Sequence, residues 1–565
     1  MRDGTRLYAD VYRPVGGSRY PVLLQRTPYN KELPGIVSLA GDPVAFAGAG
    51  YAVVIQDSRG SWASEGTFAP FRGESEDGYD SVEWCAAQPW STGRVGMFGV
   101  SYNGLVQWLT AAARPPHLVT LLPTVAGASA HDGWTYRGGA FELNFNLSLS
   151  LLYFATQEAM RGSVASDRDA VLAAVTHDLD RLPDLFTERP LVDQPLLEKV
   201  APYYLEWLRH PSNRDYWADW SIDTRYSQID LPVFHVGGWY DTFVDGTIKN
   251  FIAMCDETHS PEVRANQRLV VGPWSHGQPW LSGMVGDVDF GFGASAAAIG
   301  LQSMQLRWCD RWLKGVADRD DDARPVLIFV MGVNEWREES EWPLARTKWR
   351  ELFFHSDGEA HRLEREGGLS EERPADEPCD TFVYDPEDPV PTRGGPLCCS
   401  PLYSRGGPFD QSCVEKRLDV LTYSSPFLDD DLEVTGEVIV RLWASSSAVD
   451  TDWTAKLVDV GPKLARNVTE GIIRARYRSG PFREEMLVPG EVYEYEIRLP
   501  PTSNVFKRGH QLRIEISSSN FPRFDPNPNT GGEIAVETRS EIAQQRIYHD
   551  RAHPSCLLLP TIPAR

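Results

Sequence analysis

Long apolar runs are missing from this 565-residue chain: nothing approaches the length of a membrane span, so no membrane partner is expected. Cations are scarce as well. Lysine and arginine number 55 against 79 aspartates and glutamates, a net charge of −24, whereas phosphate binding needs clustered basic side chains. No nucleic-acid partner is expected either, and the balance suits a soluble protein with small-molecule partners. The opening Met1-Arg-Asp-Gly-Thr5 has neither an apolar core nor a cleavage site of the secretory kind, which makes a cytoplasmic location the expectation. The eight cysteines contain no zinc-type C-x-x-C pair, so no metal is expected. Four of them (Cys379, Cys398, Cys399, Cys413) lie close in sequence and read first as buried free thiols, because cysteine packs as a small apolar residue, with a disulfide or metal role as the alternative.

What is present is a long, ordinary globular composition, 42% hydrophobic and 24% charged, too large for a single core. In the first third, short β-branched runs at 21–25, 51–56, 94–98 and 119–123 alternate with helical stretches such as 104–113, the pattern of a parallel sheet with crossover helices. From about 129 the strands stop. Helical patterns at 141–160, 166–182 and 196–208 suggest an all-helical cap inserted into the sheet. Strands resume at 233–236, 268–271 and 326–330, with a helix near 303–313. Beyond Trp342-Pro343 come short strands at 350–354, 437–444, 452–460, 492–499 and 511–517, broken by Gly, Pro and Asp turns, which predict an antiparallel β-sandwich of jelly-roll type. The Glu- and Pro-rich stretch 364–379 reads as a solvated loop. The expected division is an α/β-hydrolase core at 1–128 and 223–343, a helical cap at 129–222, and a jelly-roll β-sandwich at 344–565.

One segment points to chemistry. Arg94-Val-Gly-Met-Phe-Gly-Val-Ser101-Tyr-Asn-Gly104 runs strand, glycine-flanked serine, helix start, the arrangement of a nucleophile elbow. Small residues let the chain turn sharply, and the following helix N-terminus offers N–H groups to a developing oxyanion. The pattern departs from G-x-S-x-G at Asn103, its second glycine coming one residue later. A serine nucleophile needs a base, and the base an orienting carboxylate. Val233-Phe-His-Val-Gly-Gly-Trp-Tyr-Asp241 and Leu269-Val-Val-Gly-Pro-Trp-Ser-His276 each place a candidate just past a strand. Ser101, Asp241 and His276 follow in the chain order of α/β-hydrolases. His235, inside its strand, reads as a core or supporting histidine.

At these residues the chain resembles the bacterial cocaine esterase family, related to X-Pro dipeptidyl peptidases and α-amino acid ester hydrolases. The similar stretches run from Met1-Arg-Asp-Gly4 through Gly50-Tyr-Ala-Val-Val-Ile-Gln-Asp-Ser-Arg-Gly60, Gly96-Met-Phe-Gly-Val-Ser-Tyr102, Gly238-Trp-Tyr-Asp241 and Val271-Gly-Pro-Trp-Ser-His276 to Ser445-Ser-Ser-Ala-Val-Asp-Thr-Asp452 and Ser517-Ser-Ser-Asn-Phe-Pro522. The resemblance implies Ser101 as nucleophile, His276 as base and Asp241 as its orienter. It also implies an oxyanion hole from the Tyr102 N–H and the Tyr29 hydroxyl, and acyl-side packing by Trp134 and Phe243. Leu149 and the 394–399 loop stand where the family carries bulkier groups, which moves the expected substrate from cocaine to another apolar or aromatic ester. No cofactor is implied. An X-Pro dipeptidyl peptidase, an amino ester hydrolase or a β-lactam acylase would use the same triad. A non-catalytic binding protein acting through the jelly roll is the alternative of another class, and a homodimer stays open.

Overall fold

The structure, a computed structural model, describes residues 1–162, 168–276, 282–317, 324–362, 365–399 and 405–563. Its first half is built on a nine-stranded sheet. The strands are β1 (Ala9–Tyr12), β2 (Tyr20–Thr27), β3 (Ala52–Asp57), β4 (Ser91–Val100), β5 (Leu118–Thr124), β6 (Phe234–Tyr240), β7 (Arg268–Ser275), β8 (Val326–Val330) and β9 (Glu335–Glu339). Their spatial order is β1-β3-β2-β4-β5-β6-β7-β8-β9, antiparallel only at β1/β3 and β8/β9. Strands covered on both faces need unbroken apolar runs, and Val22–Leu24, Val53–Ile55 and Leu269–Val271 are all fully buried. Because β2 to β8 run parallel, the residues that follow β2, β3, β4, β6 and β7 emerge at one edge.

Two helices on this sheet bear on that edge: α1 (Glu74–Ala87) and α2 (Tyr102–Ala112). They approach closely because Gly78 of α1 lies over Thr110 of α2, where an added Cβ would come within 1.9 Å of the Thr110 Oγ. Sequence reasoning missed α1, whose central glycine and acidic first turn blur its apolar face.

Between β5 and β6 the chain leaves the sheet for the helical cap. The helix expected over 141–160 begins at Leu143, passes through a π-helical turn at Ser150–Ala155, and ends at Arg161. The next is Arg168–Asp180, the first residues of the expected 166–182 helix lying outside the described residues. The pattern at 196–208 resolves into two helices, Pro195–Val200 and Tyr203–Arg209, separated at Pro202, which cannot donate the N–H a continuous helix would need. Phe145, Leu149 and Phe154 of the cap share one apolar cluster with Tyr29, Tyr102 and Leu105 of the core. The cap is thus seated on the start of α2, beside Ser101.

The second half is an eleven-stranded sheet. Its strands are β10 (Lys348–His355), β11 (Gly367–Ser370), β12 (Asp380–Tyr384), β13 (Leu421–Ser424), β14 (Leu432–Ser446), β15 (Asp452–Val460), β16 (Ala465–Arg474), β17 (Tyr493–Phe506), β18 (Gln511–Ser517), β19 (Ala543–Tyr548) and β20 (Cys556–Ile562). Strand β11 falls inside the stretch read as a solvated loop, which is a correction: Gly367 and Leu369 are buried and paired to β10 and β13. Phe382 of β12 meets Trp453 of β15 edge-on at 6.4 Å, although the two strands lie far apart in the order, so the sheet curls back on its own core. No helix among the described residues is long and apolar enough to cross a membrane.

Candidate active site

Ser101 sits at the turn from β4 into α2 with φ 58° and ψ −122°, a conformation that bulkier surroundings would not tolerate. The glycines near it make room. A Cβ on Gly99, itself at φ 154°, would come within 2.6 Å of the Asn103 Cβ, and one on Gly104 within 2.6 Å of the Ala126 Cβ. This accounts for the shifted motif: the position packed against the next strand's exit is 104, and residue 103 has space for a side chain. Asn103 is wholly buried there.

The three residues named from chain order come together. His276 Nε2 lies 2.9 Å from Ser101 Oγ, and His276 Nδ1 lies 2.6 Å from Asp241 Oδ2. Asp241 is fully buried, and its other oxygen accepts the Phe243 N–H at 2.8 Å, so the carboxylate is held on both sides. An imidazole fixed this way presents one nitrogen to the serine and the other to an anion, the geometry that general-base activation of a hydroxyl requires.

Tyr29 enters from the loop after β2. Its hydroxyl is turned toward the Ser101 side chain and the Tyr102 backbone N–H, both of which favour its ionised form, while burial dominates and keeps it a phenol. The loop is tied down by the Tyr29 N–H on Thr27 Oγ at 3.0 Å and the Lys31 N–H on Asp57 at 2.8 Å. Burial, opposed by the Lys31 and Ala63 N–H groups and by the Lys31 charge, pushes the Asp57 carboxyl up to about 6.

Tyr102 is anchored from below. Its hydroxyl donates to Glu74 at 2.9 Å and accepts the Phe71 N–H at 3.0 Å, and Glu74 is ion-paired to the buried Arg26. This network escaped the sequence reading, since nothing in the spacing of Arg26, Glu74 and Tyr102 relates them.

Ser101, His276 and Tyr29 open onto a cavity of about 450 Å³ whose apolar lining includes Leu39, Leu149 and Leu397. Tyr153, from the π-helical turn, also lines it and packs edge-on against Tyr29 at 5.1 Å. It too was missed, one aromatic among many in an apolar helix. Leu149 and the loop carrying Cys398 and Cys399 are both on the cavity wall. Trp134 and Phe243 lie elsewhere: they stack on each other at 4.9 Å, and Phe243 meets the His276 ring edge-on at 5.2 Å, backing the imidazole without bordering the cavity. His235 is a core residue between Trp108 and Phe251, held neutral by burial that lowers it to about 3.

The reading of four buried free thiols is corrected. Cys398 and Cys399 are bonded to each other, while Cys379 is half-buried and Cys413 exposed. Adjacent cysteines can close on one another only when the intervening backbone turns, as it does at Cys399 with φ 70°.

Comparison with known proteins agrees with this architecture. Residues 3–278 match the X-Pro dipeptidyl-peptidase (S15) family, and residues 319–558 match the X-Pro dipeptidyl-peptidase C-terminal non-catalytic domain. The chain is 40% identical to the cocaine esterase of Rhodococcus sp. (strain MB1 Bresler), over all of this chain and 97% of that protein. Among solved structures, an aminopeptidase from a marine sediment Thaumarchaeota archaeon superposes with a TM-score of 0.81 at 26% identity, covering 100% of this chain and 95% of the other. An α-amino acid ester hydrolase shares the fold at a TM-score of 0.78 and 24% identity, over 99% and 95% of the two chains. With elbow, histidine and acid held at one sheet edge and relatives aligned end to end, the chain belongs to the cocaine esterase family of serine hydrolases, an α/β-hydrolase domain followed by a β-rich domain.

Proposed function

We propose that this hydrolase is a carboxylesterase that cleaves an apolar or aromatic ester through an acyl-enzyme. Ser101 attacks the carbonyl as His276 takes its proton, and Asp241 stabilises the imidazolium that forms. The Tyr102 N–H and the Tyr29 hydroxyl receive the oxyanion; both are uncharged donors fixed before the reaction, so little reorganisation accompanies charge development. His276 then protonates the departing alcohol and later activates the water that releases the acid. Trp134 and Phe243 act by holding the imidazole face and, through it, the acyl side of the site.

The observation that carries this reading is the Ser101–His276–Asp241 hydrogen-bond chain, at 2.9 and 2.6 Å, opening beside Tyr29 on an apolar cavity. An ester without charge near the scissile bond fits better than a dipeptide or amino ester, because no Asp or Glu among the described residues lines that cavity to hold an ammonium. We place the core at 1–128 and 223–343, the cap at 129–222 and a jelly roll at 344–565, in a cytoplasmic enzyme that needs no cofactor. Initial rates on p-nitrophenyl esters beside Gly-Pro-p-nitroanilide test the reading. Ester turnover should dominate and fall about 10³-fold or more in Ser101→Ala. A preference for the dipeptide anilide would replace it with the peptidase assignment.

A further inference from the structure

The cavity that holds Ser101 is completed by the C-terminal half of the chain, through Leu397, Cys398, Cys399 and Gly406. At the base of this segment Gly395 and Gly407 exchange both backbone hydrogen bonds, at 2.8 and 2.9 Å, so its ends are pinned. Cys398 is nearly buried and packs in the apolar cluster that contains Tyr29 and Leu149, while Cys399 is half-buried at its margin. The bond between them is the chain's one disulfide; the other six cysteines are free.

This bridge cannot act as an ordinary staple. A cross-link stabilises a fold by removing loop-closure entropy from the unfolded chain, and one between neighbouring residues closes no loop. Its physical effect is local: it joins two side chains into one small ring, removes their rotamers, and fixes part of the wall of the cavity that holds Ser101. Cys399, reached from the cavity, is open to a small thiol.

We propose that the Cys398–Cys399 bridge is a redox-modifiable wall of the acyl pocket, a site for thiol–disulfide exchange that sets acyl selectivity; the acyl-pocket role rests on the esterase reading above. A dithiol reductant supplies the electrons. Its thiolate attacks one bridge sulfur, forming a mixed disulfide and releasing the other cysteine as a thiolate that takes up a proton. The second thiol of the reagent then closes on the first and frees the remaining cysteine. Two electrons and two protons pass to the protein, and the reagent leaves as its cyclic disulfide. With the ring open, both side chains regain rotamers that a bulky acyl group must order again on binding.

The test combines a thiol count with two substrates. Unreduced enzyme, denatured and alkylated, should show six reactive thiols, and dithiothreitol-treated enzyme eight. Reduction should lower kcat/KM for p-nitrophenyl benzoate about three- to tenfold relative to p-nitrophenyl acetate, with Tm unchanged. Cys399→Ser should show no response to the reductant. Eight thiols before reduction, or an unchanged benzoate-to-acetate ratio on reduction, would overturn the proposal. Absence of turnover on both esters in unreduced enzyme would instead count against the esterase assignment, and the thiol count would still decide whether the bridge exists.

Discussion

The Tyr102 hydroxyl donates to the Glu74 carboxylate at 2.9 Å, and this bond links the residue after Ser101 to a buried ion pair with Arg26. The side chain of Tyr102 therefore sets where its own N–H points. Tyr102→Phe removes the donor and also leaves the Phe71 N–H without its acceptor, at 3.0 Å in the intact protein. Stability should fall by about 1–3 kcal/mol, the usual penalty for stranding buried polar groups. Urea unfolding of the two proteins reads this directly, and an unchanged midpoint would mean the network has no such role.

Tyr29→Phe deletes one oxygen and keeps the ring that packs against Tyr153. Losing one oxyanion donor typically costs about 2.7–4 kcal/mol in the transition state, so kcat should drop about 10²- to 10³-fold with KM little altered. Steady-state kinetics on one p-nitrophenyl ester suffice. Retention of wild-type kcat would assign the second donor to another group.

Asp57 links pH to stability through the loop that carries Tyr29. Its carboxyl is raised in the folded protein to about 6, above the ordinary aspartate value, mainly by burial. The folded state therefore holds the proton more tightly than the unfolded chain. The penalty for ionising Asp57 is absent below the unfolded value, grows as pH rises toward 6, and is complete above it. Relative to Asp57→Asn, wild type should gain on the order of 2–3 kcal/mol as pH is lowered from 7 to 4. Parallel denaturant titrations at several pH values would show the two stability curves converging or crossing. Curves that stay parallel would place the ionisation elsewhere.

Gly104→Ala tests the shifted elbow. The new methyl would approach the Ala126 Cβ to 2.6 Å, between two backbones that cannot both retreat. Overpacking of this kind costs about 1–3 kcal/mol, and the displaced start of α2 should carry the Tyr102 N–H out of line and lower kcat. Equal kcat and equal Tm in the variant would show that the turn has slack.

The meeting of Ser101, Asp241 and His276 was legible because each follows a buried strand whose apolar run ends at glycine, and parallel strands deliver such residues to the same edge. Tyr29 became legible only through family resemblance, since a tyrosine after a proline has no pattern of its own. The Arg26–Glu74–Tyr102 network and Tyr153 depend on which helix faces which loop, a tertiary fact that no local period records. The antiparallel half was harder than the parallel one. Strands 452–460 and 511–517 stood out by composition, but β16, with Asn467, Glu470 and Arg474 along it, hides its buried polar residues behind charges paired across the fold. Pairing is also why 398 and 399 were misread: two adjacent cysteines look alike in sequence whether or not the backbone turns between them.

Arg523 has consequences at the scale of the whole molecule. Contributed by the C-terminal half and fully buried, it reaches Glu470 at 2.6 Å within its own half and Glu142 of the cap region at 3.4 Å. Separating the halves would break the Arg523–Glu142 contact and open a buried charged seam to water, leaving Arg523 to Glu470 and Glu142 to Arg137, each within its own half. The two halves are therefore expected to unfold together. Heat or denaturant should melt the protein in a single transition, and limited proteolysis should yield either intact chain or small fragments, with no long-lived hydrolase core surviving alone.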